Sequence, residues 1–156
     1  MKIYIIGPPG SGKTTLAKKL ACKYKLDFYE LDCIVHDDVN KDKRTKEEIT
    51  TIFEEILKKE SWIIEDVGRD IFSKGLELSD VIYYIKIPKI RVYSRIFRRW
   101  FRQKLGREEY SYTLGLSNLF KITRLYYKHE KDKIIKINRY KDKVRYISGC
   151  EVNLWL

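Results

Sequence analysis

Hydrophobic and polar positions alternate along this chain in two rhythms, and the rhythm changes several times. Lys2-Ile3-Tyr4-Ile5-Ile6 is a short apolar run of β-branched and aromatic residues, the pattern of a buried strand. From Thr15 to Tyr24 the apolar positions Leu16, Ala17, Leu20, Ala21 and Tyr24 follow a helical period. Asp27-Phe28-Tyr29-Glu30-Leu31 reads as a second short strand that ends at Asp32. Cys33 to Arg44 is polar and charge-mixed, with Asp37, Asp38, Asn40 and Asp42, and predicts a mobile connection. Thr45-Lys46-Glu47-Glu48 is a capping box, and Ile49, Ile52, Phe53, Ile56 and Leu57 continue it as one helical face. Ser61-Trp62-Ile63-Ile64-Glu65 is a third strand, followed after Gly68 by a short helical or irregular stretch to Leu78. Val81 to Ile87 is a fourth strand, stopped by Pro88. A basic helix is predicted over about 90–104, a loop over 106–115, and one long helical segment over 116–140. Val144-Arg145-Tyr146-Ile147 is the fifth strand.

Strands alternating with helical connections specify a parallel sheet with right-handed crossovers and helices on both faces. At 156 residues, 44% hydrophobic and with three prolines, the chain reads as a single ordered domain, 1–156. No apolar run approaches the ~18 residues of a membrane span, and Lys13 interrupts any signal-peptide core. A soluble cytoplasmic protein is expected. Cys22, Cys33 and Cys150 form no CxxC pair, so reduced thiols packed in the interior are expected. His36 and His129 lack metal-ligand spacing, which argues against zinc.

Lys+Arg 33 against Asp+Glu 22 leaves a net charge of +11. That excess favours polyanions, whether nucleotides, nucleic acid or an anionic surface, without choosing among them.

The first strand and helix are joined by Gly7-Pro8-Pro9-Gly10-Ser11-Gly12-Lys13-Thr14, a full match to G-x-x-x-x-G-K-[ST]. Strand, glycine loop and helix is the setting this phosphate-binding loop requires. Its glycines let backbone N–H groups of Gly10, Ser11, Gly12, Lys13, Thr14 and Thr15 turn toward phosphate oxygens at the positive end of the helix. Lys13 is expected on the β- and γ-phosphates of ATP, and the Thr14 hydroxyl on Mg²⁺.

Three further groups of residues are candidates for chemistry on those phosphates. Open α/β sheets bind ligands beyond the carboxyl ends of their strands, which is where Asp32 is expected. It can accept a hydroxyl proton or hold Mg²⁺-bound water, the competing use being a turn cap. Glu65 and Asp66 end the third strand, where an acid suits water-mediated contact to Mg²⁺, and Arg69 follows with a fork for phosphate or carboxylate. The competing use is mutual pairing of Glu65, Asp66 and Arg69. From Val81 through Arg107 there are nine basic residues and no acidic one. Arg91, Arg95, Arg98 and Arg102 share a helical stripe, with Arg99 beside them and Ile90, Tyr93, Phe97, Trp100 and Phe101 on the adjacent face. Like charges held together in this way call for an anion. ATP phosphates are one candidate, and a nucleic-acid backbone, with Trp100, Phe101, Tyr110 and Tyr112 stacking on bases, is the other.

On these residues the chain resembles the adenylate-kinase-like branch of small P-loop kinases, and within it the bacterial proteins labelled DNA topology modulation proteins. The likeness runs through Gly7–Thr15, Leu31-Asp32, Trp62–Glu65, Ser79–Tyr83 and then an arginine-rich lid region at about 91–115. The resemblance implies a five-stranded sheet of order 2-3-1-4-5 and an ATP/Mg²⁺-dependent kinase acting on a nucleotide or a metabolite hydroxyl, expected as a monomer. It implies Glu65 as the magnesium-side acid, Arg69 as the substrate arginine, and Arg95 and Arg99, with Arg98, on the nucleotide. The family pattern W-I-I-[DE]-G has glycine where this chain has Asp66, and the G-D-[LM]-[LI]-R segment of adenylate kinases is missing. Asp32 alone after the second strand is similar to shikimate- and gluconate-type kinases. The rival expectation is a nucleic-acid-binding regulator with weak or switching use of ATP.

Overall fold

A computed structural model describes residues 1–36, 43–105 and 116–148. Five strands, β1 (Lys2–Ile6), β2 (Phe28–Glu30), β3 (Trp62–Asp66), β4 (Val81–Lys86) and β5 (Val144–Ser148), form one sheet of order β2-β3-β1-β4-β5. Every pairing is parallel. The described helices are α1 (Lys13–Tyr24), α2 (Leu31–Val35), α3 (Lys46–Lys58), α4 (Ser73–Leu78), α5 (Lys89–Lys104), α6 (Leu116–Lys128) and α7 (Glu130–Asn138), with a 3₁₀ turn at Asp70–Phe72. This is the α/β fold of P-loop NTPases, with the strand order expected.

Period-two alternation divides the sheet between two cores. Ile3, Ile5, Ile63 and Ile85 face α1, against Leu16, Ala17 and Leu20. Tyr4, Ile6, Trp62, Ile64, Ile82 and Tyr84 face the other way, toward α2, α3, α4 and α7. At about 25 cal/mol per Å² of apolar surface buried, side chains such as Trp62 and Phe72, both fully buried, carry much of the stability. The Thr45 capping box forms as its spacing predicts: Thr45 Oγ1 accepts from the Glu48 backbone at 3.2 Å, and Glu48 Oε2 accepts from the Thr45 backbone at 2.8 Å.

The structure departs from the sequence expectations in four places. The stretch after β2 does not begin as a mobile connection: Leu31–Val35 is helical, with Leu31, Ile34 and Val35 in the core. Arg44 holds its C-terminal end by donating from Nη1 to the carbonyls of Cys33, Ile34 and His36 at 2.8–3.0 Å. Asp37, Asp38, Asn40 and Asp42 lie outside the described residues, as do Gly106–Gly115 and Cys150. The long helix breaks at His129, because α6 packs on α5 whereas α7 places Ile137 in the main core. Cys22 is exposed, not interior, and Cys33 is half-buried. Finally, the face of α5 that packs is Val92 and Ile96, while Ile90, Phe97 and Phe101 are exposed. Apolar residues cover more of that helix than its neighbours bury. Among the described residues, no helix is long and apolar enough to cross a membrane.

Gly75 in α4 gives a direct test of this packing. A Cβ there would stand 2.6 Å from Tyr4 Cε2 and 3.0 Å from Phe53 Cζ. Gly75→Ala gains ~1 kcal/mol of helix propensity, but overpacking against two buried rings costs ~1–3 kcal/mol. Thermal unfolding is therefore expected to shift down by a few degrees; a rise would show that the two rings have room to move.

Candidate active site

The phosphate-binding loop follows β1 and is shaped by two left-handed glycines, Gly10 at φ 71° and Gly12 at φ 101°. The Ser11 N–H donates to Pro8 O at 3.1 Å and the Leu16 N–H to Gly12 O at 3.0 Å, so the loop curls directly into α1. Gly7 is close-packed for another reason: a Cβ on it would meet Ser11 Oγ at 2.9 Å and Ile85 Cβ at 3.1 Å. Lys13 is buried, and its ammonium donates to Pro8 O across the loop at 3.2 Å. Thr15 is exposed at the first turn of α1.

Thr14, in the first turn of α1, and Glu65, near the carboxyl end of β3, meet beside the phosphate-binding loop. Thr14 Oγ1 donates to Glu65 Oε1 at 3.1 Å, while Glu65 Oε2 is buried without a hydrogen-bond partner. Burial pushes the Glu65 carboxyl above the usual carboxylate range; Glu30 and Asp32 add to the rise, and Lys13 and the Thr14 hydroxyl oppose it. A carboxyl with a raised folded-state pKa weakens the fold where it is ionised. That penalty is absent below the unfolded pKa and complete above the folded one. Glu65→Gln is accordingly expected to raise the melting temperature of the ligand-free protein at pH 7, with the difference vanishing as the pH falls below the ordinary glutamate range. Equal melting temperatures at both pH values would mean that the carboxylate is solvated.

Beside Glu65, Arg69 is clamped between two acids. Its Nη1 donates to Asp66 Oδ1 at 2.6 Å and its Nη2 to Asp32 Oδ1. Asp66 is buried and also accepts the Gly68 and Arg69 N–H groups at 2.7 and 2.6 Å, fixing the turn that carries the guanidinium. Burial disfavours the Arg69 cation, but Asp66 and Asp32 more than offset this, and its pKa lies above the ordinary value. Asp32 reaches this cluster from the first turn of α2, just beyond the carboxyl end of β2, where it is expected. The expected mutual pairing holds for Asp66 with Arg69; Glu65 turns instead toward Thr14.

Lys133 of α7 completes the turn and had no local signal in its lysine-rich surroundings. Its ammonium donates to Val67 O and Gly68 O, each at 2.9 Å, and burial lowers its pKa against the opposing pull of Asp66 and Asp70. Gly68 is left-handed, at φ 84°, with Lys133 Nζ 3.3 Å from where its Cβ would be.

On the other side of the loop, α5 lies against the phosphate-binding segment. Ile96 Cγ1 is 3.3 Å from the position of a Cβ on Gly10, and Arg95 Nη1 donates to Ser11 O at 2.9 Å. The structure thus joins Arg95 to Lys13, Thr14 and Glu65 around one loop. Arg98, Arg99 and Arg102 are exposed on α5.

The sequence model for the ATPase family associated with various cellular activities (AAA) matches residues 3–67, from β1 to just beyond β3. An adenylate kinase of Mesomycoplasma hyopneumoniae strain 232 is 28% identical over 141 residues, covering 74% of this chain. The chain spans 65% of the length of that adenylate kinase. A cytidylate kinase of Sulfolobus acidocaldarius is 34% identical over 107 residues, covering 56% of each chain. Among solved structures, a shikimate kinase from Bacteroides thetaiotaomicron superimposes with a TM-score of 0.59 at 14% identity, over 87% of this chain and 82% of the other. At that identity the superposition speaks for the fold.

Proposed function

We propose that this protein is an ATP- and Mg²⁺-dependent kinase that transfers the γ-phosphoryl group to a small molecule, a nucleotide or a metabolite hydroxyl. The observation that carries the reading is the Thr14–Glu65 hydrogen bond beside buried Lys13, facing the Asp32–Arg69–Asp66 cluster across one sheet edge. The kinase names of the relatives support it.

The residues present fit the implied groups. Ser11 Oγ and Glu65 Oε2 are buried polar atoms without partners, lying where phosphate and a hydrated cation would supply them. Hydroxyl and carboxylate oxygens suit a hard cation. Among the described residues no group of three or more His, Cys, Asp and Glu side chains is placed to hold a metal ion. Thr14 and, through water, Glu65 would hold Mg²⁺, with Asp32 at its edge; when bound, the ion supplies charge neutralisation on the β- and γ-oxygens.

The chain's own groups do the rest. Loop N–H groups from Gly10 to Thr15 and the Lys13 ammonium hold the phosphates as fixed positive charge. Arg95, already against the loop, and Arg98 and Arg99 on the same helix counter charge on the transferring group. Asp32 accepts the hydrogen bond of the acceptor, and Arg69 orders it. The described part of the lid region, α5, rests its Val92–Ile96 face near the loop, which keeps water from one side of the site.

A second reading, a nucleic-acid-binding regulator of the topology-modulation type, draws on one observation: Arg98, Phe97 and Phe101 are exposed together on α5. One experiment separates the two. Transfer from γ-labelled ATP is screened over nucleoside monophosphates, nucleosides and small hydroxylated compounds, alongside duplex-DNA anisotropy at several salt concentrations. Label transfer is expected, with DNA binding that is weak and loses ~0.9 log units of affinity per log unit of salt for each phosphate neutralised. Tight DNA binding at physiological salt with no acceptor found would favour the regulator.

A further inference from the structure

Resting on the kinase reading, we infer that the acceptor is an uncharged or cationic alcohol, not a monophosphate or other anion. The argument lies in the charge around Arg69. Binding a phosphate monoester, which carries a charge of about −1.5 to −2 at neutral pH, calls for an arginine fork whose charge is available. Here the fork faces two carboxylates: Nη1 is on Asp66 Oδ1 and Nη2 on Asp32 Oδ1. Counting Lys133, which interacts with both Asp66 and Arg69, and Lys13 beside Glu65, three cations face the four carboxylates of Asp32, Asp66, Glu30 and Glu65.

Arg69 cannot simply swing to an incoming phosphate. The Asp66 side chain is wholly buried and pinned by the Gly68 and Arg69 N–H groups, so departure of the guanidinium would strand a buried carboxylate. Breaking such a pair from one side is strongly destabilising. Among the described residues, the neighbouring cations have their donors committed elsewhere: Lys133 on the carbonyls of Val67 and Gly68, Lys136 on Asp70 at 2.8 Å, and Arg44 on the end of α2. Lys13 and Arg95 belong to the nucleotide side of the cleft.

What this cluster can hold is a hydroxyl donor. Asp32 gives Oδ1 to Arg69 and keeps its partly exposed carboxylate edge for a hydroxyl or ammonium hydrogen. In the transfer, the acceptor oxygen forms a bond to the γ-phosphorus as the bond from that phosphorus to the β–γ bridging oxygen breaks. The electron pair leaves on ADP, and the hydroxyl proton passes to Asp32 and on to solvent. The product is a new phosphate monoester facing Asp32 and Asp66, whose charges favour its release.

The test uses the whole chain with a non-hydrolysable Mg-ATP analogue filling the phosphate-binding loop, and AMP as the monophosphate probe in calorimetry. Wild type is expected to bind AMP no better than millimolar. Asp66→Asn keeps an oxygen for the turn N–H groups but removes one charge, and is expected to tighten AMP by ~10-fold or more, the scale of a contact charge. Should Asp66→Asn melt early, Asp32→Asn, at a partly exposed site, is read in the same way. Micromolar AMP binding by wild type, or no tightening in either variant, overturns the inference. Transfer arms separate the two levels of the argument. Preference for AMP over neutral and amino alcohols overturns the acceptor class alone. Absence of transfer to every acceptor while the analogue still binds overturns the kinase reading as well.

Discussion

Lys13→Ala is expected to abolish measurable Mg-ATP binding and to lower phosphoryl transfer by ~10²–10³-fold or more, the scale seen when one fixed positive group is withdrawn from developing charge. The fold should survive. Lys13 packs at the start of α1, and the phosphate-binding loop is held by backbone: Ser11 N–H on Pro8 O, Leu16 N–H on Gly12 O, and two glycines in left-handed conformations. The one hydrogen bond lost is Nζ to Pro8 O. A secondary effect follows at Glu65, whose raised pKa is opposed by the Lys13 charge. In the variant that carboxyl should titrate higher still, an effect visible by NMR. Calorimetry with Mg-ATP and circular dichroism check the main result together. Native dichroism with micromolar ATP affinity retained would remove Lys13 from the site.

Asp32→Asn should separate acceptor chemistry from nucleotide binding. Asp32 contacts Arg69, not the phosphate-binding loop, so ATP affinity is expected to change little. Arg69 keeps Asp66 and its two turn hydrogen bonds, so the local fold should hold. Transfer is expected to fall by ~10²-fold, the usual loss when a positioned base is neutralised. The decisive comparison is turnover against melting temperature. A lower melting temperature with unchanged turnover would make Asp32 a structural partner of Arg69 and nothing more.

The local signals in this chain were strong wherever a single element sufficed to produce them. The apolar runs over Lys2–Ile6 and Ser61–Glu65, the Thr45–Glu48 capping spacing and the Gly7–Thr14 motif all correspond to observed structure, because each depends on residues within one turn or one strand. Parallel crossover topology follows from that order of elements, since a right-handed strand–helix–strand unit leaves few arrangements. The resemblance supplied the strand order, which the pairings bear out. The short helix Leu31–Val35 was illegible, because five residues carry too little period and its C-terminal end is held by Arg44 from beyond the helix.

By itself, the sequence determined that there is a phosphate-binding loop between a buried strand and a helix, and that acids and an arginine follow the third strand. Only the tertiary structure decided how those acids divide. Glu65 turns to Thr14 and the nucleotide side, whereas Asp66 turns back on its own turn and joins Asp32 in neutralising Arg69. Adjacent residues on a strand point to opposite faces, and α2 brings Asp32 to Arg69 from 37 residues away. The same holds for Lys133, which reaches the Gly68 turn across 65 residues. Whether charge at such a cluster adds or cancels depends on which partners lie within hydrogen-bond reach, and that is a property of the folded chain, because contacts between residues far apart in sequence leave no period in it.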